Sequence, residues 1–401
     1  MAPTSALAAL GRRIRLGLIG GGEGALIGPV HRIAARLDDC FELVAGVLSS
    51  DPARSLAHGK ALGLSRVYPS AASLLAGEIG QAEPIDAVAI MTPNDTHADY
   101  AEAALSAGFH VLCEKPLSND LASGRRVAEA VRGSGLVLCL AHNYSGYPMV
   151  REARAMIAAG EIGRVHLVQV SYLQGTLGRR VEDEPAAMPA RLKWRLDPDR
   201  GGPSHVLGDI GTHAHQLATY VTGDAVQAVL ADVGAVVGGR ESDDTAFVIF
   251  NLMGGAKGSM LVTKAASGAD NRIGIEVYGD KGGIRWEQAN AGQLTVMRQG
   301  AAAELRTAGL PSLHPLSLRA CRLPPGHPEA FIEAFANLYR DFAELVAARL
   351  TGQEPDPLAR QIPGIGDGMG GLAFVEACLQ SSARGIWVSC RDTGPNERPG
   401  A

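Results

Sequence analysis

The sequence predicts an α/β chain in two domains: a doubly wound parallel sheet, then an α+β domain on one largely antiparallel sheet. Three observations lead there. The chain has 401 residues, more than one hydrophobic core usually supports. Up to about His142, short apolar runs alternate with helical segments, the pattern of β-α units. Beyond it, short strand-like runs alternate apolar with polar residues and are joined by turns, as in a half-exposed antiparallel sheet. The domains are therefore set at residues 12–142 and 143–390, with 1–11 and 391–401 as flexible tails.

Composition narrows the classes of function. Hydrophobic residues make up 46% and charged residues 20%, ordinary for a globular protein. A net charge of -5, with scattered arginines, argues against nucleic acid or an anionic membrane as partner. None of Cys40, Cys113, Cys139, Cys321, Cys378 and Cys390 forms a C-x-x-C pair or a zinc-spaced cluster, so no metal site is expected. They read as reduced thiols of a cytoplasmic protein. Met1 to Gly11 lacks the basic head of a signal peptide, and no apolar run is long enough to span a bilayer.

Ile14 to Ile19 is a compact strand that runs into Gly20-Gly21-Gly22-Glu23-Gly24-Ala25. Read as G-x-G-x-x-A, Gly20 makes the tight turn, Gly22 allows close pyrophosphate approach, and small Ala25 lets the next helix pack on the strand. That helix, through Val30 to Leu37, turns its N-terminal amides to the phosphates. The glycine pattern alone is weak; strand, loop, helix and second strand in order make a dinucleotide-binding (Rossmann) domain. The second strand, Phe41 to Leu48, ends in Ser49-Ser50-Asp51-Pro52-Ala53-Arg54. Ser49 stands where NAD-specific sites carry an acid, and Ser49, Ser50 and Arg54 favour NADP; Asp51 favours NAD if the loop is one turn shorter. A third strand, Ile85 to Ile90, ends in Thr92-Pro93-Asn94, expected near the ribose and nicotinamide, and His97 is either a nucleotide contact or a helix-start residue.

Phe109 to Leu112 is a buried strand ending in Cys113-Glu114-Lys115-Pro116. Pro116 biases Lys115 towards an extended backbone, so its side chain projects from the sheet edge where open α/β sheets hold ligands. A water-facing strand-end lysine is the plainer alternative. Gly135 to Leu140 completes the first domain.

Past His142, strand-like runs recur at Arg164 to Tyr172, Ala225 to Val237, Asp244 to Leu252, Gly258 to Lys264, Arg272 to Gly279 and Gly283 to Glu287. Gly300 to Pro328 reads as a long loop, followed by a helix over Pro328 to Leu350 and another near Met369 to Ser381. Within Gly208-Asp209-Ile210-Gly211-Thr212-His213, a helix would put Asp209 and His213 on one face, four apart. Three readings remain: a local ion pair, half a metal site with no third ligand in view, or an acid/base pair in which His213 takes a proton. His215 turns away from that face, to packing or solvent.

The glycine fingerprint, Thr92-Pro93-Asn94, Glu114-Lys115-Pro116, Trp194-Arg195 and Gly208 to His213, in this order, resemble the glucose–fructose oxidoreductase, inositol dehydrogenase and rhizopine-catabolism (Gfo/Idh/MocA) family, from Arg13 to Val388. The resemblance implies an NAD(P)-dependent oxidoreductase of a sugar, inositol or related polyol. It implies Lys115, Asp209 and His213 as the catalytic group, with Tyr144 joining them at the substrate. It adds Glu114, Trp194 and Arg195 to the residues near the cofactor, and implies an open second sheet that pairs copies into a dimer or tetramer. The glycine loop is longer than the family's usual one, which leaves its phosphate contacts open by a residue or two. The same motifs also fit members that recycle tightly held NAD in lyase or glycosidase chemistry, or a sensor that has lost turnover.

Overall fold

The computed structural model describes residues 5–184, 186 and 188–390; the expected tail 391–401 lies outside the described residues. The chain forms two compact units. The first runs to Ser118, resumes over Ala122–Pro148 and takes in Arg319–Gly368. The second comprises Asn119–Leu121, Met149–Leu318 and the described residues from Met369 on.

The first unit holds strands β1 (Ile14–Gly20), β2 (Phe41–Val47), β3 (Arg66–Val67), β4 (Ala87–Met91), β5 (His110–Cys113) and β6 (Leu138–Leu140). All neighbours pair in parallel, in the order β3-β2-β1-β4-β5-β6. Ile14, Leu16, Leu18 and Ile19 of β1 and all of β4 are buried, as continuous apolar runs require when helices cover both faces. Strand order reverses at β1 and β4, so the loops after these strands flank the crevice where such sheets take ligands.

Two expectations about this unit are corrected. The helix Phe331–Thr351, assigned from sequence order to the second domain, belongs to the first unit, where it packs on helices Ile27–Leu37 and Ser5–Leu10. Its stripe of Phe335, Tyr339, Phe342 and Val346 is buried there, with Phe342 stacked on Phe41 at 6.2 Å between ring centroids. Residues 5–10 are accordingly a packed helix rather than a flexible tail: Ala6 and Leu7 are buried against that stripe. An apolar stripe announces that a helix is covered, not by which part of the chain.

The second unit is a nine-stranded sheet: β7 (Val165–Leu173), β8 (Val226–Gly234), β9 (Thr245–Leu252), β10 (Lys257–Thr263), β11 (Arg272–Gly279), β12 (Gly283–Glu287), β13 (Gln293–Met297), β14 (Glu304–Thr307) and β15 (Val388–Ser389). Their order is β14-β13-β12-β11-β7-β10-β9-β8-β15, antiparallel except for β7 beside β10. Gly300 to Pro328 is not one long loop, for it contains β14 and a helical turn Pro315–Leu318. Glu304-Leu305-Arg306-Thr307 lacks a strand's apolar signature because β14 is held by backbone pairing to β13 at the sheet edge. One face of the sheet is covered and the other open: on β9, Ala246, Val248 and Phe250 are buried, while Phe247 and Ile249 are 53% and 51% exposed. No described helix is long and apolar enough to cross a membrane.

Candidate active site

In the first unit, β1 passes into the glycine loop through Gly20 at φ 86° and Gly21 at φ 69°, a left-handed path that favours glycine. A Cβ on Gly22 would run into the Leu48 carbonyl oxygen at the end of β2. The third small position is Gly28, not Ala25. The following helix begins at Ile27, and a Cβ on Gly28 would strike the Gly21 carbonyl oxygen, while Ala25 is only half-buried in the loop. The loop runs about one helical turn longer than the fingerprint assumes, so its packing glycine lies three residues later. His58 braces it, accepting a hydrogen bond from the Glu23 amide at 2.8 Å on Nδ1.

At the end of β2, Asp51 caps the helix Pro52–Ala61, its carboxylate accepting from the Arg54 amide at 2.9 Å. Ser49 accepts from the Asp51 amide at 3.1 Å. Ser50 and Arg54 are exposed. Asp51 is thus committed to local structure, the position that left the choice of nucleotide open in the sequence.

The loops after β4 and β5 are joined by His97, the first residue of helix His97–Ser106. Its Nδ1 lies 2.7 Å from the Pro116 carbonyl oxygen and its Nε2 2.8 Å from that of Thr92. Burial is the main cause holding its pKa below the usual value, against the pull of those carbonyls. The expectation of a nucleotide contact is corrected: both ring nitrogens face backbone, and His97 ties the Thr92 loop to the Lys115 loop. The Lys115–Pro116 peptide bond is cis.

Glu114 is likewise engaged within the protein. Its Oε1 lies 2.8 Å from His31 Nε2, its Oε2 accepts from the Lys115 amide at 3.2 Å, and His31 Nδ1 lies 2.8 Å from the Tyr339 hydroxyl. With Nε2–H donating to Glu114 and Nδ1 paired with the Tyr339 hydroxyl, every polar atom of His31 is satisfied. Burial would raise the Glu114 pKa, but the hydrogen bond and charge of His31, then Lys115 and His97, bring it below the usual carboxylate value. Tyr144 is buried in the turn Asn143–Gly146 and stacks on Tyr147 at 6.0 Å.

In the second unit, Asp209 lies in a π-helical segment, Leu207–Gly211, and His213 in the α-helix Thr212–Thr222 that continues it. The expected plain α-helical spacing is therefore widened, as is common at functional sites. Asp209 reaches Lys264, just past β10, and Arg195, whose Nε is 3.6 Å from Oδ1. His213 is buried beside Tyr172 of β7, with ring centroids 6.2 Å apart. Since β7 and β10 are hydrogen-bonded neighbours, Asp209 and His213 look onto adjacent strands. Asp243 pins the entry to this helix, accepting from the Ser204 hydroxyl, the His205 amide at 2.6 Å and the Val206 amide at 3.1 Å. Arg195 also stacks on Trp194, 4.7 Å from the ring centroid. His215 is packed rather than solvent-facing: it is buried 4.7 Å from the Phe374 ring, and burial lowers its pKa to about 4. Among the described residues no group of three or more His, Cys, Asp or Glu is placed to hold a metal ion.

Two family profiles match the chain: "Oxidoreductase family, NAD-binding Rossmann fold" over residues 14–142, and "GFO/IDH/MocA C-terminal domain" over residues 150–285. The chain belongs to the Gfo/Idh/MocA family. It is an oxidoreductase of the NAD(P)-dependent dehydrogenase type. A solved oxidoreductase from Sinorhizobium meliloti is 41% identical, over 94% of this chain and 99% of that one, at a TM-score of 0.84. An inositol dehydrogenase homolog from Azotobacter vinelandii, complexed with NADH and myo-inositol, is 34% identical over 94% and 98%, at a TM-score of 0.85. Levoglucosan dehydrogenase of Pseudarthrobacter phenanthrenivorans is 29% identical over 76% of this chain and 80% of its own.

Of the residues that carried the resemblance to the Gfo/Idh/MocA family, Asp209 and Arg195 come together in the second unit, and Glu114 and Lys115 in the first. Reading the sequence missed Lys264, Asp243 and Tyr172 in the second unit, and His31 and Tyr339 in the first. Lys264 alone had a signal: like Lys115, it is a lysine closing an apolar strand run.

Proposed function

We propose that this enzyme transfers a hydride between a nicotinamide dinucleotide and a secondary hydroxyl of an inositol, sugar or related polyol. The observation that carries it is the Asp209–His213 segment, partly exposed at Asp209 and buried from Ile210 to His213, beside β7 and β10, in a family whose Azotobacter relative holds NADH and myo-inositol. The glycine loop fits the dinucleotide, because Gly22 in the loop and Gly28 in the first turn of the helix Ile27–Leu37 have no room for side chains, which leaves bare backbone at the helix start. When bound, the nicotinamide accepts or returns the hydride at C4.

In the oxidative direction the substrate C–H pair leaves as hydride, and His213 takes the hydroxyl proton as the carbonyl forms. Lys115 offsets charge developing on the substrate oxygen, and Asp209 accepts a hydrogen bond from the reacting or neighbouring hydroxyl. The first unit contributes Lys115 and the second Asp209 and His213; the family's motif pattern is what assigns them one reaction. Tyr144 is proposed at the substrate on the same ground. Thr92, Asn94, Ser49, Ser50, Trp194 and Arg195 are proposed at the cofactor. Ser49 and exposed Arg54 support NADP, with Asp51 spent on a helix cap, while the NADH in the Azotobacter relative supports NAD.

The test is reduced-nicotinamide formation with inositols, aldoses and anhydrosugars, each with NAD and with NADP. His213→Ala and Lys115→Ala should each lower kcat/KM by about a hundredfold or more, with nucleotide affinity retained. Near-normal turnover in both variants would sink the assignment.

The enzyme is also proposed to work in the cytoplasm as a homo-oligomer. Six free cysteines fit a reducing compartment, and the open face carrying Phe247 and Ile249 fits a second copy. Light scattering should give a dimer or tetramer that Phe247→Glu dissociates; a wild-type monomer removes this reading.

A further inference from the structure

We propose that Lys264 is a positioning residue of the candidate active site, holding the Asp209 carboxylate ionised and turned to accept a substrate hydroxyl. The proposal rests on the reading of Asp209 given above. Lys264 follows β10 directly, and its side chain is 4% exposed. A lysine is almost never buried so far without a partner, because removing an ammonium from water costs several kcal/mol. Its Nζ donates to Asp209 Oδ2. Arg195 approaches the other oxygen at 3.6 Å, but its side chain is 30% exposed and screened by water. Of the two cations the buried one has the stronger hold.

Three titratable groups beside this pair are occupied or neutral. Asp243 is spent on Ser204 and the His205 and Val206 amides, and Asp244 on Arg240 and the Val236 and Val237 amides. The Arg195 carbonyl, 3.0 Å from His205 Nδ1, can only accept, so Nδ1 carries the proton of that ring. Burial, and then the Lys264 charge, push the His205 pKa down to about 4, so it is neutral where the enzyme works. His213 follows in the helix, buried beside Tyr172. Asp209 therefore stays a hydrogen-bond acceptor and leaves proton transfer to His213.

The experiment compares full-length wild type, Lys264→Met and Lys264→Arg by two readouts. The first needs no substrate: the isotope-labelled carboxyl signal of Asp209, assigned with Asp209→Asn, is titrated by NMR. Its midpoint should rise by about one pH unit or more in Lys264→Met and return in Lys264→Arg. The second is the pH profile of kcat/KM. Its acid limb should move up with the NMR midpoint, and neutral kcat/KM should fall about tenfold or more, while dinucleotide Kd stays constant. An unmoved Asp209 titration overturns the proposal whatever the activity. So does a moved titration with an unmoved pH profile. A moved titration in a protein that oxidises no polyol leaves Lys264 as the group that sets Asp209's charge and removes the dehydrogenase reading instead. Lys264→Gln replaces the Met variant should that fail to fold; failure of both assigns Lys264 to the fold alone and overturns the proposal.

Discussion

The two units build their candidate residues in opposite ways. In the first, candidates close or follow a parallel strand: Gly20 ends β1, Ser49 follows β2, Thr92 follows β4 and Lys115 follows β5. A parallel sheet sends all these loops to one edge, so sequence order alone puts them together. In the second, Asp209 and its partner Lys264 are 55 residues apart, one from a π-helical segment and the other from the end of a strand. Only the pairing of β10 with β7 and β9 brings that lysine under the helix. Lys115 and Lys264 look alike in sequence, yet one is legible from topology and the other only from register.

The comparison can be broken at the buried groups that support each side. In the first unit, His31→Leu leaves the Glu114 carboxylate without its imidazole partner. The loss of stability should be about 3 kcal/mol, the cost of an uncompensated buried charge. Urea unfolding measures it, and adding Glu114→Gln should recover much of the loss. An equal loss in the double variant would show that His31 serves packing alone.

A smaller effect sharpens the second unit. His215 is buried with a pKa near 4, against 6.5 for its ordinary value. Its folded pKa is depressed, so the unfolded chain binds the proton first as pH falls. The shifted pKa costs no stability above pH 6.5 and destabilises progressively from 6.5 down to 4. His215→Leu should spare the protein about 3 kcal/mol of the stability that wild type loses on going to pH 4. Parallel stability–pH curves for the two proteins would refute this placement of His215.

The glycine loop shows how far the sequence could be read. Strand, glycines and helix were legible because each is a local requirement on backbone and hydrophobic period. The third small position was missed by three residues, because contact with the Gly21 carbonyl depends on where the helix begins, and the fingerprint assumes a shorter loop. His97 showed itself as a helix start, but not as the tie between Thr92 and Pro116.

By itself, then, the sequence determined the alternation of strands and helices, a parallel sheet followed along the chain by a mostly antiparallel one, and the motifs of the Gfo/Idh/MocA family. These depend on periodicity and on residues adjacent in the chain. The tertiary structure decided that the helix Phe331–Thr351 covers the first unit, that Glu114 answers to His31 and Tyr339, and that Asp209 answers to Lys264. Each of these is a long-range contact between side chains whose local patterns say only that they will be buried. Which partner meets them is set by sheet order and register.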